Sequence, residues 1–352
     1  MSPGAERPGR GTVPDGGSAR ARGLTKRVPS LRPFADYAEL SLDLPLVERR
    51  LREVLQSDVP LVTDVIQHPL RAGGKRLRPA LVLLGGRFSP EREQERLINL
   101  AAAAELIHMA TLVHDDVVDQ STKRRGQDTV NARWGDRMAV LGGDYLLGCA
   151  LSLIAEWGGA RVLISLSACV REMAAGEMRQ FGRVDRLALS EADYLDWIEK
   201  KTALFIGECA HLGAMGCGAP DDVVGTLWRY GRALGLCFQI VDDLLDFTSS
   251  TERLGKSTGA DVRNGIPTLP VIHALRESPE RDRLRVILEN GRDPGALEDV
   301  LSILRRSGSL EYAFARASSY AAVAHGELAR LPDTPARRTL AELTDDLLHR
   351  TH

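Results

Sequence analysis

Aromatic residues are scarce in this 352-residue chain, at 5%. Strands draw on aromatic and β-branched residues, so this shortage, set against abundant Ala and Leu, points to helix rather than sheet. Charge of one sign is not in excess either. A net charge of −2 provides no global basic field, so nucleic acid is not expected as a partner and anion binding falls to local clusters. The five cysteines, Cys149, Cys169, Cys209, Cys217 and Cys237, are odd in number and form no CxxC pair. That argues against a disulfide framework or a zinc site and for buried thiols in a reducing cytosol. No window approaches ~18 uninterrupted apolar residues, so no membrane span is expected. Residues 1–33 are rich in Gly, Pro, Ser and Arg and lack an apolar signal core. Pro3, Pro8 and Pro14 also oppose an amphipathic transit helix, so a disordered tail is expected there.

What is present is helical periodicity from about Asp36 onward. It is punctuated by Pro and Gly near 70–74, 85–90, 158–159, 216–220, 255–267 and 290–295. The intervening segments are too long for ordinary strands and show no convincing alternation. The expected fold is all-α, one large helical bundle over residues 34–352. Two helices carry the chemistry. The first, from about Glu91 to Asp119, places Ile107, His108, Thr111 and Asp115 on one face. The second, from about Thr226 to Phe247, aligns Gly235, Gln239, Asp242 and Asp246.

Each of these helices ends in the same acidic pattern: Asp115-Asp116-Val117-Val118-Asp119 and Asp242-Asp243-Leu244-Leu245-Asp246. Carboxylates are stabilised at helix N-termini, where the macrodipole is positive, and these crowd the C-terminal ends. Two like charges ~4 Å apart repel by ~4 kcal/mol at an effective dielectric of 20. A hard cation removes that repulsion. Oxygen-only ligands suit Mg²⁺, which keeps waters and shares substrate phosphates. A single such pattern reads equally well as a solvated helix end; two copies closing two apolar helices point to a diphosphate held between them through several Mg²⁺ ions.

Fixed cations accompany the acids. Gly73-Gly74-Lys75-Arg76-Leu77-Arg78 puts cations after a glycine pair where backbone can approach an anion. Lys123-Arg124-Arg125-Gly126 follows the first cluster closely; these cations are either partners of the aspartates or ligands of phosphate. Lys201 and Thr202 lie in a helical stretch, and Lys256 follows the second cluster. His108 lies two turns below Asp115; a lone helical His is more often a core residue, and its alignment favours ligand contact. Leu254-Gly255-Lys256-Ser257-Thr258 is no P-loop, because Ser250 stands where the motif needs Gly and no strand precedes it. An HD-type phosphohydrolase built on His114-Asp115 leaves the second cluster without a role, and a terpene cyclase normally carries a different second motif.

GGKRLRP at 73–79, HMATLVHDDVVD at 108–119 with RRG at 124–126, KT at 201–202, and FQIVDDLLD at 238–246 with GKSTGAD at 255–261 resemble the trans-isoprenyl diphosphate synthases, most closely the polyprenyl synthetases of quinone side chains. The resemblance covers roughly residues 40–350. It implies Mg²⁺, two to three ions, on Asp115, Asp116 and Asp119 at one side of an allylic diphosphate and on Asp242, Asp243 and Asp246 at the other. It implies contact of Arg124, Lys201 and Lys256 with that diphosphate, supported by Thr202 and Gln239. Lys75, Arg78, His108 and Arg125 would hold isopentenyl diphosphate. Asp115, Asp119, Lys201, Asp242 and Lys256 are thus the expected catalytic set. Ile266 stands where the family often has Lys, which removes one diphosphate contact. The growing tail is expected to run down the first acidic helix past Thr111, Ala110, Ile107 and Ala104. Short-chain members typically place an aromatic at the position of Ala110. One helical turn, ~5.4 Å, is close to one isoprene unit, so a medium- to long-chain product of about C30 to C50 is expected, with a geranylgeranyl product as the shorter alternative. A homodimer and a small partner chain are carried by the resemblance alone, while a cytoplasmic location is expected from the unpaired thiols and closeness to membranes from the insolubility of a long product.

Overall fold

The computed structural model describes residues 37–181, 187–248, 259–263, 265–289 and 296–348. Over them the chain is the expected all-α bundle. In order the helices are α1 (Asp43–Val54), α2 (Pro60–Arg71), α3 (Leu77–Gly86), α4 (Gln94–Val118), α5 (Val130–Trp134), α6 (Asp136–Trp157), α7 (Gly159–Phe181), α8 (Glu191–Ile198), α9 (Leu204–Gly216), α10 (Asp221–Thr248), α11 (Ala260–Arg263), α12 (Leu269–Glu277), α13 (Arg281–Glu289), α14 (Ala296–Arg306), α15 (Ser309–Leu328) and α16 (Pro335–Leu348). The two acidic helices are therefore α4, close to its expected span, and α10, which ends as expected but begins at Asp221, five residues before the expected Thr226.

The centre of the bundle follows from side-chain size. In α4 the run Ala101-Ala102-Ala103-Ala104 is fully buried, and small side chains let helices approach on several sides at once. α4 packs on α6, α3, α1 and α9, while α10 packs on α9 and α15. The closest approach, α3 against α9, depends on Gly85 and Gly213: a methyl group on either would collide with a backbone carbonyl, of Ala210 and Val82 respectively. Phe247, Val271, Leu284, Val300, Ile303 and Leu304 form a second, smaller core under α12 to α14.

Two local departures from regular helix lie at the mouth of the bundle. Between α8 and α9 one turn, Glu199–Ala203, is π-helical; such wide turns recur at functional sites, and this one carries Lys201 and Thr202. After α4 the chain makes a two-stranded ribbon, β1 (Lys123–Arg124) antiparallel to β2 (Gln127–Asp128). The expectation of no strand misses it because two residues cannot show alternation. Its turn holds Arg125 and Gly126 at φ 51° and 79°, a conformation natural for Gly and unusual for Arg.

Candidate active site

The two Asp clusters share one burial pattern. Successive helical residues point about 100° apart, so within each cluster the first and fifth carboxylates share a face and the second turns inward. Asp116 is 4% exposed and Asp243 6%. Asp115 and Asp246 are partly exposed, and Asp119 and Asp242 exposed. The two inward carboxylates are held by neighbours. Arg124 donates from Nε and Nη2 to Asp116 at 2.9 and 2.8 Å, and Asn131 donates to the Asp116 carbonyl at 3.2 Å. Tyr194 donates its hydroxyl to Asp243 at 2.6 Å, and Gln239 donates its amide at 2.9 Å. Of the two readings open for Arg124, the structure shows the intramolecular pair.

The clusters are joined by a run of contacts through the π-turn. Thr202 donates to Gln239 at 2.8 Å, one turn before Asp243. Its neighbour Lys201 pairs with Glu177 of α7 at 3.2 Å and lies 5.5 Å from the Trp197 ring centroid. Asp115 lies within reach of that ion pair. Burial raises its carboxyl to a pKa of about 6; Lys201 and Arg124 oppose the rise, while Glu177 and Asp119 add to it. A half-buried carboxylate crowded by two others is the electrostatic situation a bound cation relieves. Among the described residues no three His, Cys, Asp or Glu side chains converge closely enough to hold an ion alone. Paired carboxylates on one helix face are oxygen donors that suit a hard cation completing its shell with water and diphosphate.

Beside the first cluster lies a small pocket whose lining includes Arg76, Glu105, His108, Asp116, Arg124 and Arg125. Burial, and then Arg78, Arg125, Arg124 and Arg76, hold the His108 imidazole well below its ordinary pKa, so it faces this cationic cavity neutral. Arg76 is the structural member of the GGKRLRP trio. It takes the left-handed N-cap position of α3, bonds Glu48 of α1, and donates to Glu105 of α4 at 2.8 Å. Arg78 stacks over Phe205, 5.5 Å from the ring centroid. Arg125 donates to the Gly73 carbonyl, which brings the ribbon onto the 73–76 loop. Lys75 is exposed on that loop. Lys256 and residues 255–258 of the GKSTGAD segment lie outside the described residues. Along α4, Ala104, Ile107 and Ala110 are buried, and Thr111 is partly exposed, donating to the His108 carbonyl at 2.9 Å.

Tyr194, Glu177 and Asn131 do not emerge from the sequence motifs. Tyr194 and Asn131 bond aspartates in other elements, Glu177 on α7 pairs with Lys201, and no local pattern marks any of the three. The run of three cations in GGKRLRP did not reveal the Glu48 and Glu105 partners of Arg76, which only the packing of α1 and α4 brings together.

The polyprenyl synthetase family model matches residues 59–304. The chain belongs to this family. It is 40% identical over 310 residues to the heptaprenyl diphosphate synthase component 2 of Geobacillus stearothermophilus, covering 88% of this chain and 96% of that one. It is 39% identical over 301 residues to the nonaprenyl diphosphate synthase of Mycobacterium tuberculosis, covering 85% and 90%. Among solved structures, the polyprenyl synthase of Caulobacter crescentus complexed with calcium and isoprenyl diphosphate superposes with a TM-score of 0.85 at 34% identity, covering 93% of this chain and all of that one. The synthetase is thus a transferase, a trans-prenyl diphosphate synthase of the medium- to long-chain kind, with the all-α isoprenoid synthase fold.

Proposed function

We propose that the enzyme condenses isopentenyl diphosphate with an allylic diphosphate in a Mg²⁺-dependent reaction and releases an all-trans polyprenyl diphosphate of about C30 to C50. The observation that carries this is the contact run Asp115, Lys201, Thr202, Gln239, Asp243, which ties both acidic clusters to one mouth beside a cavity rich in guanidinium. Asp115 and Asp119 on α4, and Asp242 and Asp246 on α10, would hold the metal. Bound there, Mg²⁺ would neutralise the charge that develops on departing pyrophosphate. Lys201 is placed to take diphosphate oxygens in exchange for Glu177. Arg124 is the corresponding cation at Asp116, and Lys256 is proposed beside them on the resemblance alone. Lys75, Arg78, Arg125 and neutral His108 would bind the second diphosphate at the cavity. Ionisation of the allylic substrate gives a cation, the isopentenyl double bond attacks it, and a proton leaves, with the released pyrophosphate the acceptor at hand. The buried, small side chains Ala104 and Ala110 support a long product, because they place no bulk along the α4 wall.

Purified enzyme supplied with labelled isopentenyl diphosphate, farnesyl diphosphate and Mg²⁺ should give elongated products that disappear with EDTA. Pyrophosphate release without elongation would refute the reading.

A homodimer is part of the same proposal. α6 is long and apolar enough to cross a membrane by length and composition, as is the mostly buried α4, and core helices share those properties. Yet Val140, Leu141, Tyr145 and Leu151 of α6 are exposed. One apolar helix face left open on a chain of this size is an association surface, and a second copy of the chain is the occupant the resemblance favours. A relative bearing the name component 2 makes a different small subunit the alternative occupant.

A further inference from the structure

Trp197 stands between the supports of the two acidic clusters without belonging to either cluster. It lies on the last turn of α8, three residues after Tyr194 and four before Lys201, spacings at which helical side chains are neighbours. The Trp197 ring meets the Tyr194 ring edge-on, with centroids 6.4 Å apart, and Tyr194 is the residue that donates to Asp243 at 2.6 Å. In the other direction the Lys201 ammonium lies 5.5 Å from the Trp197 ring centroid. Lys201 in turn faces Asp115, whose carboxyl it holds down against the rise that burial causes. One indole therefore touches a supporting residue of each cluster.

Lys201 is held differently from its neighbour in the chain. Lys200 donates to both oxygens of Asp196, at 2.5 and 2.7 Å, and a carboxylate neutralises the cation it fixes. An aromatic face attracts a cation through its quadrupole and leaves the charge whole. Among the described residues Lys201 has one carboxylate partner, Glu177 at 3.2 Å. An incoming diphosphate replaces that partner, and the ring contact survives the exchange. The indole donor plays no part in the arrangement. Trp197 Nε1–H is buried and has no hydrogen-bond partner among the described residues. Buried polar atoms are almost always satisfied, so this ring is oriented by packing on the core and serves its neighbours through its face and edge.

We propose that Trp197 is a positioning residue for the allylic diphosphate: its ring holds the Lys201 ammonium at the mouth, fully charged and within reach of diphosphate oxygens, once Glu177 is displaced. The inference rests on the proposed elongation reaction and adds a residue to it. Without the ring, Lys201 keeps only Glu177 and water, and the allylic diphosphate must order the side chain itself. The second diphosphate, at Arg78, Arg125 and His108, does not sense the change.

The test uses the purified full chain with Mg²⁺, each variant first checked by thermal melting. Trp197→Leu should raise KM for farnesyl diphosphate by about 3- to 10-fold, within the range a cation–ring contact spans. KM for isopentenyl diphosphate should stay within about twofold. Trp197→Phe, which keeps a ring, should remain within about twofold of wild type for both substrates. An unchanged KM for farnesyl diphosphate, or both KM values raised alike, overturns this inference alone. The contact itself is read by calorimetric titration of farnesyl thiodiphosphate. Trp197→Leu should weaken binding in the wild-type background and change it by less than about twofold in Lys201→Met; an equal loss in both backgrounds means that the ring only packs, and overturns the inference. Should Trp197→Leu fail to fold, tryptophans bearing one to four ring fluorines at position 197 keep the shape and weaken the ring face. Because Nε1–H has no partner, the series reads the face alone. KM for farnesyl diphosphate that climbs with each fluorine supports the assignment, and a flat series contradicts it. Wild-type enzyme that elongates no primer overturns the elongation reading and this inference with it.

Discussion

At the scale of single residues, charge and partner decide role. Asp115 is ordinarily a weak acid of pKa 3.8 and is raised to about 6. The protonated form is therefore the one the fold tolerates. Its stability contribution is full below about pH 4 and is lost as pH rises through 6. Two pH units correspond to about 3 kcal/mol, and partial exposure reduces this to about 1–2 kcal/mol. Asp115→Asn should therefore raise the melting temperature of the metal-free chain at pH 8 and leave it unchanged at pH 4; equal effects at both pH values would contradict the assignment. Tyr194→Phe removes one of the donors that, with Gln239, fix buried Asp243. A loss of about 1–3 kcal/mol is expected, measurable by urea denaturation, together with reduced turnover as Asp243 and the neighbouring Asp242 lose their fixed position.

At the scale of elements, the helical period fixes which carboxylate does what. The DDxxD spacing in α4 and α10 was legible as two shared faces, and so were the C-terminal ends of both helices, because apolar periodicity over more than twenty residues is a strong signal. The Arg124–Asp116 pair was legible as one of two alternatives. Tyr194 and Glu177 were not legible, because their partners are brought in by tertiary packing across α8, α7 and α10. The α4 wall supplies its own prediction. Ala110→Phe fills the buried position one turn below the acidic cluster and should shorten the product by several isoprene units, read by reversed-phase separation of the dephosphorylated prenols. Unchanged length would mean that Ala110 faces a neighbouring helix and not the tail.

At the scale of the whole molecule, one bundle brings both acidic helices, the π-turn and the ribbon to the same mouth, while Val140, Leu141, Tyr145 and Leu151 of α6 stay exposed and form the face proposed for association. Leu141→Glu with Leu151→Glu should leave the monomer folded and halve its mass by light scattering; a wild-type chain that is already monomeric would refute the homodimer. The central claim is that the two acidic clusters hold one allylic diphosphate through Mg²⁺. Its most direct test is calorimetric titration of an uncleavable farnesyl thiodiphosphate into wild type, Asp115→Asn and Asp242→Asn, with and without Mg²⁺. The account predicts binding to wild type that requires Mg²⁺ and falls at least tenfold in each variant. Binding that is equally tight without Mg²⁺, or unaffected by either substitution, would contradict it.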